Sequence, residues 1–119
     1  MSEVENLFRV VPACDWQAAL ATGRVPRCAS DERAGRVHLS ERSAVETIAN
    51  AYFEPAEAPL ALEIDRSLIE GQLEWNGPTE AKPWRQAHLN LPNVLTEHVL
   101  CIHPLLVVNR GGRDCFVLG

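Results

Sequence analysis

Arg36-Val37-His38-Leu39-Ser40 reads as a short strand that carries a histidine and breaks at a serine, and an amphipathic helix follows at once. In that helix Ala44, Val45, Ile48, Ala49 and Tyr52 recur at helical spacing. Ser40, or Ser43 with Glu46 three residues on, can satisfy the free backbone donors at its start. A strand feeding directly into a helix end is a place where folds put small-molecule chemistry, so His38 is the first residue to test for a function.

Upstream of this unit, residues 23–35 show no periodicity, hold Pro26, and read as a loop. Before them, Leu7 to Val11 reads as a strand ending at Pro12, a residue suited to the first turn of a helix because it lacks a backbone N–H. Trp16, Ala19 and Leu20 give the next segment an apolar stripe, with Asp15 near its positive end and Gly23 just past its close. Residues 1–5 are polar and expected to fray.

Downstream, residues 54–59 form a break of small, acidic and proline residues. Leu60, Leu62 and Ile64 then alternate with Ala61, Glu63 and Asp65, the period-two pattern of a strand with one buried face. Residues 68–71 read as a connection and Leu73-Glu74-Trp75-Asn76 as a short strand closed by Gly77-Pro78. Residues 77–87 read as a loop holding Trp84. Residues 99–103 form another strand, stopped by Pro104, and residues 105–108 and 115–118 flank a glycine turn, Asn109-Arg110-Gly111-Gly112-Arg113, as a hairpin. The order strand, helix, strand, helix and then mostly strands predicts one α+β domain over residues 1–119, with two helices and about six strands, and argues against a doubly wound parallel sheet.

Composition bounds the function. A chain of 119 residues with 46% hydrophobic content supports one core and no more. Its net charge of −5 removes any global attraction to nucleic acid or to an anionic membrane. Within this acidic chain Arg24, Arg27, Arg33, Arg36 and Arg42 make a local basic patch, and Lys82 is the one lysine. Arginine forks onto phosphates and carboxylates, which keeps a pyrophosphate partner open beside plain genome composition. No apolar run reaches the length of about 18 residues needed to cross a bilayer. Cys14, Cys28, Cys101 and Cys115 lack paired spacing and no leader precedes them, so a soluble cytoplasmic chain with four reduced thiols is expected, Cys101 buried in its strand.

Leu7-Phe8-Arg9-Val10-Val11-Pro12 with Trp16, then Val37-His38-Leu39-Ser40, Leu62-Glu63-Ile64-Asp65, Leu73-Glu74-Trp75, and His88-Leu89 before a proline form a set with a recognisable order. In order and spacing it resembles a bacterial family of uncharacterised proteins, domain of unknown function nine hundred and fifty-two. The resemblance covers residues 6–105 and leaves 106–119 as a C-terminal hairpin extension. That family in turn looks like the ADP-ribosyltransferase fold, a split and mainly antiparallel sheet that binds NAD in a cleft, with the RNA 2'-phosphotransferases as the nearest pattern. The resemblance implies an NAD-dependent ADP-ribosyl or phospho transferase with NAD as substrate. By chain order it places Arg9 on a ribose, His38 against nicotinamide and His88 at the transfer position. Ser40 would stand at the rim, with Arg36 and Trp75 or Trp84 completing the binding wall. The usual histidine, tyrosine and glutamate are replaced at all three positions, so binding is expected to outlast catalysis.

Other readings compete. His38 can be a satisfied core histidine, or an imidazole that stacks on a ring or moves a proton. Arg9 in an apolar strand marks either an edge strand facing water or an anion clamp. Glu63 is expected to face solvent or pair with an arginine, and Glu74 likewise. The cysteines and His88, His98 and His103 show neither Cys-x-x-Cys nor His-x-x-x-His, so no metal is expected. The classes left are an NAD-linked transferase or degenerate binder, a non-catalytic module for another phosphorylated or acidic small molecule, and an interaction protein with a vestigial cleft.

Overall fold

The computed structural model describes residues 5–80 and 84–118. Residues 1–4, Lys82 within the expected loop, and Gly119 lie outside these. Seven strands form one sheet: β1 (Leu7–Val11), β2 (Val37–Ser40), β3 (Leu60–Ile64), β4 (Leu73–Asn76), β5 (Gln86–Leu89), β6 (Val99–Arg110) and β7 (Arg113–Leu118). Their order is β4-β5-β2-β1-β3-β6-β7 and every neighbouring pair is antiparallel. With helices α1 (Ala13–Thr22), α2 (Ala29–Ala34), α3 (Val45–Tyr52) and α4 (Arg66–Ile69) this is an α+β domain.

Strand alternation sorts the core into two layers. Leu7 and Val11 of β1, Leu62 and Ile64 of β3, and Val37 and Leu39 of β2 pack with Trp16 and Ala19 of α1. On the other face, Phe8 and Ala61 meet Val45 and Ala49 of α3 together with Leu105 and Phe116. Since β1 lies between β2 and β3 and not at an edge, the reading of Arg9 as water-facing on an edge strand is corrected: Arg9 is 7% exposed.

The sheet is nearly divided at β1 and β2. Five residue pairs align β1 with β3, but only Phe8 and Ser40 align β1 with β2. Four pairs then hold β2 to β5, with His38 opposite His88, and four hold β5 to β4.

Other expectations need correction. The loop over 23–35 contains α2, whose N-cap residue Cys28 donates its N–H to the Asp31 carboxylate and whose C-cap Gly35 sits at φ 70°. Residues 68–71 belong partly to α4, capped by Asp65, which accepts from the Ser67 N–H. Strand β5 takes Gln86 and Ala87 from the expected loop. Neither serine caps α3: a 3-10 turn at Arg42–Ala44 leads into it, and the Ser40 hydroxyl donates to the Phe8 carbonyl. Leu20 and Tyr52, assigned to apolar stripes, are exposed.

Pro104 does not end its strand. It is the last β6 residue paired with β3 and directly precedes Leu105, the first paired with β7, so its missing N–H falls where the partner changes. The hairpin therefore grows out of a continuous β6, without a break at residue 105 or 106. Its tip is as expected: Gly111 at φ 59° and Gly112 at φ 83° supply the two positive torsions of a two-residue turn between Arg110 and Arg113. All four cysteines are free thiols, but Cys101 is exposed and not buried.

Candidate functional site

The missing ladder between β1 and β2 is replaced by side chains. His38 pairs with β5 on one side, and its own N–H and C=O need partners on the other. The Asp31 Oδ1 accepts the His38 N–H at 3.0 Å, and the Arg9 Nη1 donates to the His38 carbonyl at 2.9 Å. Arg9 also forks onto Asp31, Nη1 to Oδ1 at 3.1 Å and Nη2 to Oδ2. A buried ion pair thus occupies the gap and performs the hydrogen bonding of the missing ladder.

Asp31 is fully buried and is the hub. Its carboxylate also accepts the Cys28 N–H at 3.1 Å and faces the His38 Nδ1 at 2.8 Å. Burial alone would push this carboxyl up, but the hydrogen bonds from His38 and Arg9 and the arginine charge together outweigh it. Asp31 is held well below the usual carboxylate range. An ionised carboxylate can only accept, so His38 must carry its proton on Nδ1, which leaves Nε2 as the nitrogen able to take a proton.

The His38 ring is 19% exposed. It stands edge-on to His88, ring centroids 4.6 Å apart. His88 is buried, and the register aligns Glu74, His88 and His38 across β4, β5 and β2.

A cavity of about 450 Å³ opens at the split. Arg9, His38 and Ser40 line it, as do Arg33, Trp84 and the α3 residues Ile48 and Tyr52. Three of the expected site residues therefore share one cavity. His88 is not in the lining but contacts His38, which is.

The remaining expectations are corrected. Ser40 is buried in the wall and not at the rim. Arg36 pairs with Glu74 and lies outside the lining. Trp75 is also outside it, with the Arg66 and Arg85 guanidiniums over its ring at 5.1 and 4.3 Å from the centroid; the tryptophan in the wall is Trp84. The basic patch does not converge, since Arg27 meets Glu32 and Arg42 stacks over Phe8. Only Arg33 from that patch lines the cavity, and among the described residues it has no hydrogen bond or ion pair. Glu63 stays partly exposed, and its hydrogen-bond partners are not arginines: it accepts from the Asn6 amide at 2.8 Å and meets the His103 Nε2 at 2.7 Å.

Asp31 was missed because its segment looked aperiodic. The available signal was the acid three residues after Cys28 with Gly35 four residues later, the spacing of a capped short helix, concealed by cysteine at the cap.

Among the described residues no helix is long and apolar enough to cross a membrane. No curated protein matches the chain. The structure resembles the crystal structure of protein CC0527 from Caulobacter crescentus, with a TM-score of 0.74 at 22% identity over 91% of each chain. It also resembles the solution NMR structure of that protein, with a TM-score of 0.67 at 24% identity over 84% of each chain. These likenesses concern the fold. The profile of a family described as "Protein of unknown function (DUF952)" matches residues 10–99, and the chain belongs to that family.

Proposed function

We propose that the cavity binds a small anionic molecule with a flat ring, of the NAD or ADP-ribosyl class, and that His38 exchanges a proton with it. The carrying observation is His38 at the cavity wall with Nδ1 fixed by buried Asp31. A carboxylate that sets the tautomer and steadies an imidazolium is the standard arrangement for an acid–base histidine. Arg33, without a partner among the described residues, offers a fork for phosphate, and Trp84 and Tyr52 offer surface for a ring. Transfer from NAD or an ADP-ribosyl compound is the reaction class this reading favours, with His88 as a positioning residue behind His38.

A second reading has its own support. Arg9, assigned by resemblance to the ligand ribose, has both Nη groups engaged by Asp31 and the His38 backbone. An arginine used in this way favours a non-catalytic module for another phosphorylated or acidic molecule, or an interaction protein with a vestigial cleft.

Titration with NAD, ADP-ribose and inorganic phosphate, followed by tryptophan fluorescence and NMR, separates these readings. Arg33→Ala and His38→Ala are the variants to use, because Arg9→Ala would strand the buried carboxylate. Saturable binding of NAD or ADP-ribose, weakened in both variants, supports the transferase reading. Binding that His38→Ala leaves intact supports the module, and no binding at millimolar ligand sinks the NAD reading.

A further inference from the structure

Outside the cavity, on the sheet face covered by α3, β3 and β6 bring a carboxylate, a thiol and an imidazole together. Glu63 stands opposite Cys101 in the β3–β6 register, and His103 lies two residues further along β6 on the same face. The ligand atoms of Glu63, Cys101 and His103 all lie within 4.8 Å of one another. We propose that these three residues form a zinc-binding site, with solvent completing the coordination.

The chemistry suits zinc more than a hard cation. Thiolate, imidazole and carboxylate bind it at about 2.0–2.3 Å, and three protein ligands leave a fourth tetrahedral position open. Two anionic ligands balance the charge of the ion. His103 Nε2 and Glu63 Oε1 already stand 2.7 Å apart, and modest side-chain rotation would bring all three ligand atoms around one ion.

The surroundings already hold the ligands. The Asn6 amide donates to the second Glu63 oxygen at 2.8 Å, the kind of outer contact that orients a ligating carboxylate. Phe8 packs on the His103 ring at 5.8 Å. The register shifts between Glu63 and Ile64, so the β-bulge falls beside Cys101. Cysteine is among the most often buried residue types, yet this one is exposed directly opposite a carboxylate. Arg42 adds positive potential at Glu63, which limits affinity without occupying the site.

Cobalt(II) titration of the reduced full-length chain tests this directly. The expected result is one equivalent of cobalt giving a thiolate-to-cobalt charge-transfer band with the visible bands of a four-coordinate ion, both abolished by zinc. A chain with Cys14, Cys28 and Cys115 changed to Ser should keep these bands, since Cys101 is then the only thiol. Cys101→Ser should abolish the charge-transfer band, His103→Ala should remove tight binding, and Asn6→Ala should weaken zinc by about 10–100-fold. Zinc should also raise the Tm of the parent but not of Cys101→Ser, whose exposed side chain leaves the fold intact. Absence of the band in the parent, its survival in Cys101→Ser, or its loss from the chain retaining only Cys101 would each overturn the site.

Discussion

Arg9 and Asp31 bond to each other and each also holds one backbone group of His38, so a buried ion pair supplies the rung that β1 and β2 do not form. This gives the pair two roles that mutation can separate. Arg9→Met leaves a buried carboxylate unpaired and Asp31→Leu a buried guanidinium, and each is expected to cost about 3–5 kcal/mol. The double variant removes both charges but still strands the His38 N–H and C=O, at about 1–3 kcal/mol per group. Urea unfolding should therefore find Arg9→Met/Asp31→Leu still destabilised by about 2 kcal/mol or more. A double variant as stable as the parent would reduce the pair to an ordinary ion pair.

Acid should act through the same carboxylate. The folded pKa of Asp31 is depressed below an unfolded value of about 3.9. Its contribution is fully present above the unfolded pKa and is lost as pH falls through the folded one. Glu63 is shifted in the same direction, first by its hydrogen bond from Asn6 and then by that from His103. Stability should fall as pH drops below about 4, and Asp31→Asn should flatten that limb while Glu63 preserves part of it. Urea midpoints across this range measure the slope, and an unchanged slope in Asp31→Asn would contradict the assignment.

Two arginines from one segment should behave differently. Arg33 lines the cavity without a partner among the described residues, whereas Arg36 is tied to Glu74 outside it. For a phosphorylated ligand that binds, Arg33→Ala is expected to weaken Kd by about tenfold or more, the loss of one charge-assisted hydrogen bond. Arg36→Ala should leave Kd unchanged. Equal losses in isothermal titration would place the ligand elsewhere.

That contrast shows where sequence patterns end. β3 was legible because Leu60, Leu62 and Ile64 alternate over a buried face, and the hairpin tip because Gly111-Gly112 provides positive φ. His38 was legible as a site candidate because a polar residue interrupts a short strand at a helix entrance. Asp31 was not, because its role depends on contacts 22 and 7 residues away in the chain, with Arg9 and His38, which no local period records. The Glu63–Cys101–His103 cluster was missed for a related reason. Helix and turn spacings such as Cys-x-x-Cys do not capture it, because residues sharing a strand face recur at every second position and the third comes from the neighbouring strand.

The turn joining β6 and β7 makes a simpler test. Gly111 and Gly112 both adopt left-handed torsions in open space, so an added methyl group meets no atom and only the backbone is strained. Gly111→Ala and Gly112→Ala should each cost about 1–2 kcal/mol by urea unfolding. No effect would mean that the tip relaxes without disturbing Phe116, which anchors β7 to the α3 layer.

The tautomer of His38 gives the most direct view of the site. With Nδ1 at 2.8 Å from an ionised Asp31, the neutral ring must keep its proton on Nδ1. In free histidine the proton prefers Nε2, so the structure requires the rarer form. Long-range nitrogen–proton correlation spectra of the imidazoles resolve the two forms, and His38 should show a protonated Nδ1 beside an unprotonated Nε2. Asp31→Asn removes the charge that enforces this choice and should produce a mixture of tautomers, even where the ring keeps its contact with His88. A parent protein with Nε2 protonated would mean that Asp31 does not orient the ring, and His38 would then lose its claim to accept a proton from a ligand in the cavity.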